Sequence, residues 1–344
     1  QSSQANMPTL STGKVLVSGA NGFIAVWVVR TFLEEGYAVR GTVRSEDKGK
    51  HLIETFKSYG DKFEVVVVPD ITADGAFDEA VKGVQAIAHT ASPFHFQAED
   101  PAVLIDPAVK GTVGMLKSVL KNGKDVKRIV VTSSAAAIVS VYPEPTHFSE
   151  ENWNDQSVEE VEKLGRKASV ISKYRASKTL AERGAWNFVK EHASEIGWDL
   201  TVLNPPLVLG PEIHAVSTPA ELNTSSRMMY QGLTQAGATV GGGSWVDVRD
   251  LALAHVRAIQ KEEAGGERII VCEGTYTWQD MIDALPPAAV ASGKYQKGTP
   301  GSGKDFKQMT TYDNSKGLRI LGIKYRTVKD VTADTVAQWE GRGW

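Results

Sequence analysis

The chain lacks the features that mark several whole classes of protein. Its 344 residues contain one cysteine, Cys272. No intrachain disulfide can form, and a reducing, cytoplasmic setting is the simpler expectation. Apolar runs such as Val15–Val17, Val65–Val68 and Ile129–Val131 fall far short of the ~20 residues a spanning helix needs, so no membrane partner is expected. The first thirteen residues lack the charged start and apolar middle of a secretory signal and read as a loose tail. An excess of charge is missing too: 38 Lys and Arg face 41 Asp and Glu, for a net charge of −3. No global field draws the chain to nucleic acid. The histidines show no metal-ligand spacing; His89 and His95 flank a strand end, where packing or a polar contact is the simpler role, and no metal is expected.

What remains is ordinary globular material, 42% hydrophobic and 23% charged. A chain of this length buries roughly 75% of its unfolded surface without staples and allows one large domain or two smaller ones. Glycine, at 32 residues, is in surplus.

Short β-branched runs alternate with amphipathic segments. Strands are expected at Lys14–Ser18, Tyr37–Val43, Phe63–Val68, Val84–His89, Arg128–Thr132, Asp199–Leu203 and Arg268–Cys272. Helices are expected at Phe23–Glu35, Glu46–Ser58, Phe77–Val81, Val103–Leu120, Lys173–His192, Val248–Gln260, Trp278–Leu285 and Val328–Trp339, with a shorter piece at Leu222–Leu233 and a loop over Pro286–Gly303. Such alternation predicts an α/β fold: a doubly wound parallel sheet. The expected plan is a tail (1–13), a nucleotide-binding unit (14–210, with parts of 244–275 returning to it) and a mainly substrate-binding lobe (211–344).

The glycines mark a site. Gly19-Ala20-Asn21-Gly22-Phe23-Ile24-Ala25 joins the first strand to the first helix, where a dinucleotide fold needs a tight turn, backbone N–H groups near a pyrophosphate and a helix N-terminus. The spacing is GxxGxxA. The second strand ends at Arg44 with no acid for ribose hydroxyls. Arg44 is placed to pair with a 2′-phosphate, which favours NADPH over NADH; Lys48 and Lys50 assist in this reading, and a solvated surface arginine is the alternative. Asp70, followed by Ile71, suits the adenine amino group or else caps a turn.

Reduction of a carbonyl requires a proton donor at oxygen. Tyr174 and Lys178 stand at i and i+4, on one helix face. Tyr312/Lys316 and Tyr325/Lys329 share the spacing, so spacing decides nothing. Context favours Tyr174, which opens a long helix and follows Thr132-Ser133-Ser134 at a strand's C-terminal end; the other two pairs read as exposed surface pairs.

These motifs occur in the order and setting of the extended short-chain dehydrogenases/reductases, and the chain resembles their dihydroflavonol reductase-like branch, which includes fungal NADPH-dependent carbonyl reductases. Supporting segments include Val39–Arg44, Phe77–Gly83, His89–Pro93, Ser177–Glu182 and Val246–Ala252. The likeness runs from about Lys14 to Ala258. It implies a Rossmann sheet with a smaller C-terminal lobe, and a Ser134, Tyr174, Lys178 site. There Tyr174 protonates the carbonyl oxygen, Lys178 holds the ribose and depresses the tyrosine pKa, and Ser134 orients the substrate, with Ser133 as fallback. NADPH is then expected against Gly19, Asn21, Gly22, Phe23, Ile24, Arg44, Lys50, Asp70, Ile71, Thr90, Ala91, Ser92, Thr132, Pro205 and Val208 as well as Tyr174 and Lys178.

The substrate pocket is read at Phe94, Phe96, Val139, Tyr142, Pro206, Met228 and Met229, with core packing the alternative for each. Val139 stands where plant flavonoid reductases carry an asparagine, which counts against a dihydroflavonol substrate. The expected activity is reduction of aldehydes and ketones such as aryl ketones or keto esters, by a monomer or homodimer. The alternatives are a sugar-nucleotide epimerase or dehydratase, and a non-catalytic NADPH-binding sensor.

Overall fold

Residues of the central strands alternate between two apolar layers, and helices cover both. The computed structural model describes residues 9–92, 99–235, 237 and 241–344. Its strands are β1 (Lys14–Ser18), β2 (Ala38–Val43), β3 (Phe63–Val67), β4 (Ala86–His89), β5 (Arg128–Thr132), β6 (Thr146–Phe148), β7 (Asp199–Asn204), β8 (Leu207–Leu209), β9 (Gly242–Asp247), β10 (Arg268–Ile270), β11 (Gly274–Thr277) and β12 (Thr310–Tyr312). The helices are α1 (Phe23–Glu34), α2 (Glu46–Phe56), α3 (Ala102–Asn122), α4 (Asp155–Leu164), α5 (Val170–Glu191), α6 (Thr224–Thr234), α7 (Val248–Gln260), α8 (Trp278–Asp283), α9 (Pro287–Ser292), α10 (Ser315–Leu321) and α11 (Val328–Gly341).

Seven strands form one sheet in the order β3-β2-β1-β4-β5-β7-β10, every pair parallel. Val15 and Val17 of β1 pack in the layer that holds Val26 and Leu251 of α1 and α7, while Leu16 between them packs with Met115 and Phe188 of α3 and α5. Burial on both faces is what a parallel sheet demands. The strand order reverses beside β1, which opens a crevice at the C-terminal ends of β1 and β4, the place where such sheets bind ligands. A smaller sheet, β11-β9-β8, lies with a cluster of Met229, Trp245, Trp278 and Trp339. No helix of the described residues is long and apolar enough to cross a membrane.

Several local expectations are corrected. Phe77–Val81 forms consecutive turns, not a helix; it lies between Gly75 and Gly83, both at positive φ, which leaves too little chain to propagate a helix. Pro286–Gly303 is not all loop. It holds α9, opened by Pro287 and closed by Gly293 in the left-handed region. The glycines at 242 and 243 begin β9, paired antiparallel with β11. Helix α5 starts three residues early because Ser169 caps it, accepting from the Ser172 N–H at 3.0 Å.

The edge of the sheet opposite the crevice is closed by a buried ion pair absent from the sequence reading. Arg128, fully buried at the start of β5, donates to both carboxylate oxygens of Asp199 on β7 at 2.5 and 2.7 Å. It also donates to the carbonyls of Ala258 (2.7 Å) and Lys261 (2.5 Å), fixing the end of α7. Removing one partner leaves a buried charge uncompensated. Arg128→Met is therefore expected to cost about 3–5 kcal/mol in urea unfolding, with activity per folded molecule intact; a loss under ~1 kcal/mol, the scale of an exposed pair, would contradict this account.

Candidate active site

The crevice begins at the β1–α1 turn. Gly19 adopts φ +64°, and a Cβ there would lie 3.1 Å from Ala91, so a side chain is excluded both by conformation and by the neighbouring strand. Gly22 closes the turn by donating to the Gly19 carbonyl at 3.0 Å. It caps α1 without a side chain, and no acid occupies the first turn. The N–H groups around Phe23 and Ile24, with Asn21 beside them, therefore form an anion-seeking helix start. Gly41 on β2 was not singled out by sequence. A Cβ there would sit 2.9 Å from the Ala20 methyl, so its absence lets the turn lie down on β2.

Ser18 ties this turn to the exit of β4. Its hydroxyl oxygen accepts from the N–H groups of Thr90 and Ala91, both at 3.0 Å. Its proton is then free to go to His89 Nδ1 at 2.9 Å, so His89 makes the polar contact expected of it. Burial, with the charge of Lys178 nearby, holds the His89 pKa down to about 4 and keeps the ring neutral. Thr90, Ala91 and Ser92 are thereby placed against the Gly19 turn.

At the adenosine end, Arg44 is exposed at the close of β2. The Lys50 ammonium pairs with Asp47 at 3.0 Å on the exposed face of α2. Asp70 caps its own turn, accepting from the Thr72 N–H (2.8 Å) and hydroxyl (2.7 Å), and these bonds lower its pKa. Ile71 packs toward Gly111 of α3.

The catalytic candidates converge from two elements. Tyr174 and Lys178 lie one turn apart on α5, with the ammonium 5.9 Å from the tyrosine ring centroid. Lys178 donates to Ser92 Oγ at 2.9 Å, and burial lowers its pKa to about 8. Burial raises the Tyr174 pKa, with a hydrogen bond from Ser134 acting the other way. The expected depression of the tyrosine is thus not what this chain shows: the ammonium stands over the ring face and bonds to Ser92, and desolvation prevails. Ser133 is excluded as the orienting serine, because its hydroxyl donates to Glu182 at 2.5 Å.

Thr132, expected against the cofactor, commits its hydroxyl to His255. The imidazole Nδ1–H donates to the Leu251 carbonyl (2.8 Å), so Nε2 accepts from Thr132 at 2.7 Å. The Pro205 carbonyl accepts from the Ala135 N–H at 2.8 Å, and Val208 is buried within β8.

The expected substrate residues separate. Pro206 is half-buried beside the site strands and Met228 is exposed on α6. Met229 is fully buried with Leu233 and Trp245, which makes it core rather than pocket wall. Val139 packs in a small cluster with Phe148 and Ile270. Tyr142 stacks on Phe148, with centroids 6.2 Å apart, along an open cleft of about 500 Å³ that contains none of Ser134, Tyr174 or Lys178. Phe94 and Phe96 lie outside the described residues. The other two Tyr/Lys pairs are not exposed surface pairs. Tyr312 and Tyr325 are half-buried, and Lys316 is paired with Glu267 at 2.8 Å.

Burial leaves a measurable mark on stability. The His255 pKa is held at about 4, against 6.5 for a free imidazole. Between these values the unfolded chain takes up a proton that the folded chain refuses, so stability falls as pH drops through this window, by at most about 1.4 kcal/mol per pH unit. His255→Gln removes this share. Urea unfolding near neutral pH and at about pH 5 should show a smaller acid loss in the variant; an equal loss would show that His255 titrates normally.

Comparison with known proteins fits this geometry. Residues 15–272 match the NAD dependent epimerase/dehydratase family. The NADPH-dependent methylglyoxal reductase GRE2 of Saccharomyces cerevisiae is 38% identical over 95% of this chain and 99% of its own. The ketoreductase azaE of Aspergillus niger is 36% identical over 94% of this chain and 96% of its own. The structure of Gre2 from Candida albicans in complex with NADPH superposes with a TM-score of 0.85 at 33% identity, covering 96% of this chain and 99% of that one. With its glycine turn, its parallel sheet and its Tyr174/Lys178 helix, the chain belongs to the NAD-dependent epimerase/dehydratase family, the extended short-chain dehydrogenases/reductases.

Proposed function

We propose that this chain is an NADPH-dependent carbonyl reductase that converts aldehydes and ketones to alcohols. The observation that carries the reading is the convergence of Ser134 from β5 with Tyr174 and Lys178 from α5, beside a side-chain-free turn at the C-terminal edge of the sheet. When bound, NADPH supplies the hydride.

The chain's residues supply the rest. Burial keeps Tyr174 protonated at neutral pH, the state a donor to the carbonyl oxygen must hold. Ser134, bonded to the same hydroxyl, fixes that oxygen's position and favours the charge that develops on it. Lys178 is within reach of Ser92 and of a ribose hydroxyl placed there. With a pKa near 8, it is a cation at neutral pH that would hold that hydroxyl and is a proton source on the same helix as Tyr174. The Gly19–Ile24 turn fits a pyrophosphate and Arg44 fits a 2′-phosphate.

The epimerase or dehydratase alternative uses the same Tyr/Lys pair but needs cations for a substrate diphosphate. Three arginines of the later segments are engaged internally. Arg227 donates to the Ala220 and Leu222 carbonyls, Arg249 pairs with Asp247 and Asp334, and Arg268 pairs with Glu182. This favours the reductase. A sensor has no use for a buried, polarised tyrosine.

A panel of methylglyoxal, aryl ketones, α-keto esters and sugar nucleotides, read with both coenzymes, tests the proposal. Loss of NADPH absorbance is expected with carbonyl compounds and no conversion with sugar nucleotides. Arg44→Ala should raise KM for NADPH ~10-fold or more and leave that for NADH nearly unchanged. Tight NADPH binding with no carbonyl reduced would overturn the reductase reading.

A further inference from the structure

We propose that Glu182 is a positioning residue that sets Ser134 against Tyr174, an inference that rests on the catalytic reading above. Glu182 follows Lys178 by four residues and Tyr174 by eight, so all three lie along the buried side of α5. It is the acid on that side, and only 1% exposed. A carboxylate so placed needs donors, and this one has them from four groups. The Ser133 hydroxyl donates to Oε2 at 2.5 Å and Asn204 Nδ2 to the same oxygen at 2.8 Å. Arg268 Nε donates to Oε1 at 2.5 Å, and Trp186 Nε1 at 3.4 Å.

Three of those donors stand on different strands of the sheet: Ser133 just past β5, Asn204 ending β7 and Arg268 opening β10. One carboxylate therefore joins the helix that carries the proton donor to three strand ends. Asn204 completes the link, because the same Nδ2 donates to the Ser134 carbonyl at 3.2 Å. Backbone bonds from Ser133 to Leu203 (2.9 Å) and from Ala135 to Pro205 (2.8 Å) hold the residues on either side of Ser134 to β7. Arg268 is itself fixed, donating to the Glu150 carbonyl at 2.5 Å and lying 3.6 Å from the centre of the Trp153 ring. The bonds of Glu182 run to Ser133, Asn204, Arg268 and Trp186, and it stands eight residues from Tyr174. Its effect passes through Asn204 and the Ser133–Ala135 backbone to the Ser134 hydroxyl.

The competing account is that the network only holds α5 to the sheet. Two variants separate them. Glu182→Gln keeps the shape but weakens the pairing with Arg268, so it is also the variant most exposed to misfolding. Asn204→Ala leaves the Glu182–Arg268 pair in place and cuts the link to Ser134. For each, kcat, KM for a carbonyl substrate, NADPH affinity by fluorescence titration, the urea midpoint and the isotope effect with C4-deuterated NADPH are measured. Positioning predicts a ~10- to 100-fold fall in kcat, unaltered NADPH affinity, and a larger isotope effect on kcat as chemistry becomes limiting.

If kcat and the isotope effect per folded molecule stay at the parental values in either variant while only the urea midpoint falls, the proposal is overturned. Ser134→Ala identifies which reading failed. A crippled Ser134→Ala beside a fully active Asn204→Ala overturns the positioning role alone. A fully active Ser134→Ala overturns the catalytic reading and the positioning role with it.

Discussion

Everything at this site depends on how one helix is seated on the ends of a parallel sheet. The strands end in backbone groups and short polar side chains, and α5 lays Tyr174, Lys178 and Glu182 over them. Apolar packing of Ala185 and Phe188 beneath the same helix supplies adhesion without direction. Direction comes from hydrogen bonds that have few geometric solutions, from Lys178 to Ser92 and from Ser133 and Asn204 to Glu182. A hydroxyl that must meet a substrate oxygen tolerates little error, and this polar seam at the sheet edge meets that requirement.

Desolvation governs the electrostatics of that seam. It keeps His89 and His255 neutral, so His89 accepts from Ser18 and orders the β4 exit, while His255 both donates and accepts and anchors Thr132 to α7. It also opposes charge on Tyr174 and Lys178. Tyr174 therefore holds its proton more tightly than Lys178 does, so that passage of a proton from the ammonium to an ionised tyrosine is downhill. The opposite edge of the sheet holds the buried Arg128–Asp199 pair. Stability can reside there without constraining the crevice.

Long periodic elements were legible in the sequence because one physical cause dominates them: β-branched runs buried on both sides give the central strands, and an apolar stripe gives α1, α3 and α7. Short elements were not. The helix expected at Phe77–Val81 and the loop expected over α9 both failed because single turns are decided by flanking glycine and proline and by tertiary contact. The same division holds in the site. Gly19, Tyr174 and Lys178 announce themselves by type and setting. Met229 was misplaced, because a place in the core is settled by neighbours distant in sequence. Ser18, Gly41 and Asn204 leave no local signal. The partners of Ser18 and Asn204 are 22 to 73 residues away, and Gly41 makes room for Ala20 on another element. Glu182 left one faint mark, a carboxylate one helical turn from Lys178 and from Ala185 on the buried side of α5.

The central claim is that Tyr174 delivers the proton that completes carbonyl reduction. Tyr174→Phe keeps the ring that Lys178 overlies and removes only the hydroxyl, so turnover and cofactor binding can be read on the same protein. The account predicts that kcat/KM for a carbonyl substrate falls by ~10²–10⁴-fold while NADPH binds as tightly as to the parent. A variant that reduces carbonyl compounds within a few-fold of the parental rate would contradict it.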